Sequence, residues 1–339
     1  MSKKRILYFD LLNIAACISV VALHCNVMVH GWQPGLNWKF GLGIEVIFYW
    51  AVPVFFMLTG ATCLEYRNKY DTKTFLSRRF SKTLIPFIAW NIILYLVISV
   101  GINRSPVGPR TFVNMVLSNQ IEDVYWFFFP LFSIYLSIPI LSKLVGDMKT
   151  IRYAIATVFV CNSVLPFILP LIGIQWNANV TVTACSGMLI YVLLGYYLSK
   201  TELTKKQRML VYVAGILASA FRYLYTMLSS DNLGYVDRFL FNYSAFPAVL
   251  EGAAIFVLFK ELNLDKLESK SKAIRTISAC SFGVYLIHKP ILDYFVMGSL
   301  GIANTSLVLR TIGVPIIWLG CVLIVLALKK IPVVKRIVP

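Results

Sequence analysis

The stretch ILYFDLLNIAACISVVALHCNVMV, Ile6 to Val29, carries one carboxylate, Asp10, and one histidine, His24, in an otherwise apolar setting. A helix of that length rises about 36 Å at 1.5 Å per residue, more than the roughly 30 Å of a bilayer's hydrocarbon core. The run is too long for the apolar region of a secretory leader, and no small-residue cleavage pattern follows it. It reads as a retained first helix behind Lys3, Lys4 and Arg5. Asn13 and His24 lie eleven residues apart, about three turns and roughly 16 Å along the axis, so they share a face with Asp10 and Cys17 close beside it. Ionisable groups are costly in lipid, and this polar stripe must face protein or a water-filled cavity.

Working outward, similar runs recur. Helices are expected near 6–29, 40–64, 83–102, 123–142, 153–172, 181–199, 209–228, 240–259, 276–297 and 306–328. The chain is 58% hydrophobic and 14% charged with mean hydropathy +0.75, where a soluble domain is about a quarter charged. Strict two-residue alternation is absent, which argues against a β-barrel and leaves helices to satisfy the backbone in lipid. The expected fold is an all-α integral membrane protein of about ten transmembrane helices, one domain over 1–339.

The net charge of +17 follows the same map. Of 32 Lys and Arg, 25 fall on alternate loops or at the ends, in groups near residues 3–5, 67–82, 143–152, 200–208, 260–275 and 329–336. The positive-inside rule puts those loops and both termini in the cytoplasm. The charge is then topology, with some attraction to anionic membrane lipids, and no nucleic-acid partner is implied. Seven cysteines sit in or beside the expected spans without a metal-ligand spacing, which reads as apolar packing and no metal.

Other polar residues need explaining. Glu45 lies in the expected second helix, before VPVFFMLTG, where Pro53 and Gly60 invite a kink and close packing. Arg78, Arg79 and Lys82 cluster at a membrane boundary, with Arg79 and Lys82 on one helical face; they are either charge anchors or donors to the phosphates of a soluble anion. Trp126 suits an interfacial aromatic belt. Arg222 and Glu251 are placed to pair, and Ser281, Tyr285 and His288 form another polar face. Pro290 is expected to break that helix. No internal repeat is evident, which weighs against many transporters.

Together YFDLLNIAACISVVALH (8–24), AVPVFFMLTGA (51–61), RRFSKTLIPFIAW (78–90), YWFFFPLFSIYLSIPIL (125–141) and SFGVYLIHKPIL (281–292) resemble membrane acyltransferase family three, the bacterial envelope O-acyltransferases. The resemblance covers essentially the whole chain. It implies that His24 is the catalytic base and that His288 belongs to the same site; Asn13 and Glu45 are further catalytic candidates from their own intramembrane polarity. It implies that Arg78, Arg79 and Lys82 hold the phosphates of acyl-CoA, acetyl-CoA above all. Trp126, Arg222, Glu251 and Tyr285 are substrate-binding or structural candidates. Two positions depart from the family pattern: Asn13 stands where Arg is usual, and Lys82 where the paired basic motif usually ends in Arg. The implied activity moves an acyl group from cytoplasmic acyl-CoA to a hydroxyl of an envelope glycan or lipid-linked sugar, at the bacterial cytoplasmic membrane. A transporter or flippase, or a non-catalytic module of the same superfamily, accounts equally for buried charge but not for the ordered motifs.

Overall fold

The structure is a computed structural model that describes residues 6–97 and 108–338; the basic group Lys3, Lys4 and Arg5 and part of the expected loop from Asn103 to Glu122 lie outside these. The described residues form helices α1 (Leu7–Cys25), α2 (Leu36–Phe48), α3 (Ala51–Cys63), α4 (Thr72–Leu96), α5 (Pro109–Leu117), α6 (Phe128–Leu141), α7 (Met148–Val158), α8 (Leu165–Leu171), α9 (Leu189–Lys200), α10 (Lys205–Leu233), α11 (Phe246–Lys260), α12 (Ser271–Ser278), α13 (Ser281–Pro290), α14 (Leu307–Arg310) and α15 (Gly313–Leu328). Helix α1 is central and packs on α3, α11, α12, α13 and α15, so its polar stripe faces protein.

The all-α expectation holds, but the count of about ten transmembrane helices is corrected. Among the described residues five helical runs are long and apolar enough to cross a membrane: Leu7–Cys25, Leu36–Asn68, Asp123–Leu144, Met148–Leu171 and Lys205–Leu233. The other expected spans fall short for local reasons. Within 181–199 only Leu189–Lys200 is helical, and within 240–259 only Phe246–Lys260. The span 276–297 is interrupted between Ser278 and Ser281, and 306–328 at Thr311, whose φ/ψ of −118°/−85° is not helical. A helix of twelve to sixteen residues reaches only about 18–24 Å. Helix α4 is long, but its first half carries the basic cluster, and the expected span 83–102 runs beyond the described residues after 97. The ten-span map on which two cytoplasmic termini were expected therefore no longer stands. The chain is a multi-pass membrane protein, with exposed apolar rows such as Leu210, Leu217, Leu224 and Leu228 on α10 suited to lipid.

Local sequence explains the breaks that shape the site. Pro53 has no N–H to offer the carbonyl of Tyr49 and its ring crowds that turn, and the chain turns between α2 and α3 there. Pro290 ends α13, after which Ile291–Ser299 continues as a π-helix. Close backbone approach fixes α3 on α9: a Cβ on Gly60 would fall 1.9 Å from the Val192 carbonyl oxygen, and one on Gly195 2.1 Å from that of Met57. Such small-residue crossings let helices pack where no hydrophobic drive operates between them. Asp71 caps α4 by accepting from the Thr74 amide at 3.0 Å, and its bonds from Thr74 hold the carboxyl below the usual range.

Candidate active site

Two cavities lie along α1. The first, of about 410 Å³, is lined at the N-terminal half of α1 by Asp10 and Asn13, and by Thr59 and Thr62 of α3, Arg79 of α4, Tyr135 of α6 and Ser278. The second, of about 270 Å³, is lined by His24, Glu45, Tyr49, Trp126, Arg238 and Tyr243, with His30 at its edge. The 16 Å rise between Asn13 and His24 therefore places them in different cavities, although one helix face carries both. Phe55, Phe127 and Tyr285 also line the first cavity as a cluster of rings, Phe127 standing 6.0 Å from Phe55 and 5.5 Å from Tyr285. Trp126, next in the chain to Phe127, belongs to the second.

His24 and His288 meet where α1 packs on α13. Nδ1 of His24 lies 2.8 Å from Nε2 of His288, and Nδ1 of His288 lies 2.8 Å from the Tyr285 carbonyl oxygen and 3.1 Å from that of Val284. Carbonyl oxygens only accept, so Nδ1 of His288 carries the proton and its Nε2 has the lone pair. Nδ1 of His24 must then donate. In the neutral pair this leaves Nε2 of His24 unprotonated on a half-buried ring that lines the second cavity, while His288 is 1% exposed.

Tyr285 is held by its hydroxyl, which donates to the Val124 carbonyl oxygen. In return the Tyr125 hydroxyl donates to the Leu286 carbonyl at 2.8 Å. This reciprocal stitch ties α13 to the segment before α6 and steadies the ring wall next to His288. Asn13 is equally engaged: its amide nitrogen lies 2.9 Å from the Ser278 carbonyl oxygen and 3.0 Å from the Ser278 hydroxyl. Asn13 thus anchors the end of α12, and Arg79 is the one cation among the residues lining the first cavity. The other two members of the expected basic trio behave differently. Arg78 is exposed with its guanidinium 5.0 Å from the Tyr70 ring, and Lys82 is exposed and does not line the cavity.

Glu45 is 5% exposed and lines the second cavity, and its Oε2 has no hydrogen-bond partner among the described residues. Arg222, fully buried, donates to Glu251 at 2.9 Å and lies 4.3 Å over the Tyr49 ring. Sequence reasoning missed Tyr49, Arg238, Phe241 and Tyr243 in this cavity. The last three lie on a non-helical stretch with no period to mark them. A model described as an acyltransferase domain matches residues 6–328. The chain belongs to that family. The resemblance carried by the five quoted segments is thereby established over nearly the whole chain, and acyl transfer is the activity the family points to. No curated protein and no solved structure matches. Among the described residues no group of three or more His, Cys, Asp or Glu is placed to hold a metal ion.

Proposed function

We propose that this member of the family is an O-acyltransferase of the bacterial cytoplasmic membrane that moves an acyl group, acetyl first of all, from acyl-CoA to a sugar hydroxyl of an envelope glycan. The observation that carries the reading is the 2.8 Å contact between His24 and His288, which frees one imidazole nitrogen to act as a base. The thioester arm of acyl-CoA runs through the first cavity and past the Phe55, Phe127 and Tyr285 rings, so that the acyl carbon reaches the acceptor beside His24, with Arg79 toward a CoA phosphate oxygen; Arg donors match such oxygens. The acceptor fits the second.

In the reaction, Nε2 of His24 takes the acceptor's hydroxyl proton as the oxygen attacks the thioester carbonyl carbon. The tetrahedral intermediate collapses with cleavage of the C–S bond. The leaving CoA thiolate takes the proton back from Nε2, and the pair returns to its starting state. While His24 holds two protons, its Nδ1–H strengthens its bond to Nε2 of His288, which spreads the charge. His288 plays the part of the third group that orients a base. The hydroxyl proton thus departs on the CoA thiol, and the pair carries no net charge between turnovers.

The test is acetyl incorporation into envelope glycan in matched strains at equal membrane abundance of the protein. His24→Ala is expected to lose roughly 10²–10⁴-fold, the contribution of a positioned acid–base group. Normal acylation by that variant overturns the reading.

A further inference from the structure

Three features in or behind the second cavity take no part in proton transfer: the unmet oxygen of buried Glu45, the buried Arg222–Glu251 pair behind Tyr49, and a run of near-parallel rings. The rings form an ordered stack. Tyr49 lies 4.6 Å from Tyr243 at an interplanar angle of 17°, and Tyr243 lies 5.6 Å from Trp126, also at 17°. The guanidinium of Arg222 lies 4.3 Å from the Tyr49 ring. A ring has two faces, so the order is Arg222, Tyr49, Tyr243, Trp126. Planar guanidinium groups stack well on aromatic faces. Glu251 fixes the far end: its two carboxylate oxygens accept from Arg222 at 2.9 Å and from the Ser219 hydroxyl at 2.6 Å. Buried ion pairs are poor devices for stability alone. Here the pair holds the base of a stack whose last plate, Trp126, lines the cavity beside His24.

The chemistry of the walls narrows what fits. An apolar acceptor leaves the buried Glu45 oxygen without a partner, which is unfavourable. An ionic acceptor of either sign meets one wall of unsuited polarity, since the acidic Glu45 and the basic Arg238 line the same space. A neutral polyol ring satisfies both kinds of wall, with C–H groups on the aromatic plate and hydroxyls toward the carboxylate. At about 270 Å³ the space lies just under the roughly 300–1,000 Å³ of drug-sized pockets and suits one ring. We propose that the second cavity selects a single neutral sugar ring, stacked on the Arg222-backed aromatic wall, with Glu45 accepting a hydrogen bond from a hydroxyl other than the one His24 deprotonates. This rests on the acyltransferase reading only in taking the sugar to be the acyl acceptor. Glu45 and Trp126 are specificity residues, and Arg222 with Glu251 positions them.

The experiment uses the purified full chain in lipid nanodiscs, with no acyl donor. Saturation-transfer NMR measures binding of methyl gluco-, galacto- and mannopyranosides and their monodeoxy analogues. At least one parent sugar is expected to bind, and Glu45→Gln, nearly isosteric, to weaken it about tenfold. One deoxy analogue should bind the native protein as weakly as the parent binds Glu45→Gln, with little further loss in the variant. Trp126→Ala should weaken all the sugars together, and Arg222→Lys, which keeps the charge but not the plane, should do so less. Failure of every pyranoside to bind overturns the proposal. So does a Glu45→Gln variant that weakens parent and deoxy sugars by equal factors, the mark of a merely structural role. If acylation survives His24→Ala while sugar binding follows this pattern, the catalytic reading falls and the sugar site stands. If acylation needs His24 but sugar binding ignores Glu45, the sugar site alone falls.

Discussion

The two cavities along α1 are built from the same helix face but differ in how their polar groups are engaged. In the first, Asn13 is bound to Ser278 and the Tyr285 hydroxyl to Val124, while the buried Ser281 hydroxyl has no partner among the described residues, and rings, threonines, Asp10 and Arg79 make up much of the wall. In the second, His24 presents a bare ring nitrogen and Glu45 an oxygen without a partner, beside stacked rings. Buried polar groups left unmatched are unfavourable and are retained where a ligand completes them. On the proposed reading, the free His24 nitrogen and the stacked rings put selection and chemistry in the second cavity. This leaves the first to receive a flexible chain through shape and one cation.

The sharpest break in that contrast is at the partner of His24. Replacing His288 with Ala keeps the base but removes the acceptor that sets its tautomer, and a reduction in kcat of about 10²-fold is expected, the low end for a positioned acid–base group. The KM for acetyl-CoA should stay nearly constant, as Arg79 lies in the other cavity. Steady-state kinetics in nanodiscs separates the two; a change confined to KM would place His288 with the donor instead.

A smaller effect sharpens the first cavity. Arg79→Ala is expected to weaken acetyl-CoA binding by about 10–100-fold, the loss of one charge-assisted hydrogen bond of about 1.5–3 kcal/mol. Lys82→Ala, on an exposed side chain outside the cavity, should change it by less than about threefold. Calorimetric titration of acetyl-CoA reads both. Equal losses would mean that general surface charge, and not Arg79 in its cavity, holds the nucleotide.

Much of this was legible in the sequence, for reasons that also mark the limit. Helical spacing put Asn13 and His24 on one face, and intramembrane cost marked His24, Glu45, Arg222, Glu251 and His288 as residues needing partners. Spacing does not say which helix a face meets, so the contact of His24 with His288, 264 positions away, had no local signal. The expected pairing of Arg79 with Lys82 followed i,i+3 geometry, yet three residues are 300° around a helix, and the remaining 60° turns Lys82 out of the cavity. Tyr243 and Phe241 were invisible because the stretch that carries them is not helical. The count of spans went wrong because mean apolarity persists through residues that end a helix, such as Gly187 at φ 61° and Thr311. Apolar sequence measures affinity for lipid, whereas span length depends on where backbone hydrogen bonding stops.

The proton arrangement of the histidine pair is the most direct point of test. The chain has three histidines, so ¹⁵N-histidine labelling, with His30→Gln to assign the third, gives resolvable ring signals in nanodiscs. At neutral pH both His24 and His288 are expected as neutral rings protonated on Nδ1, each with an unprotonated Nε2, and with coupling across the bond from Nδ1 of His24 to Nε2 of His288. A proton found on Nε2 of His24 would leave that ring unable to accept one from a substrate at the second cavity, and would contradict the mechanism.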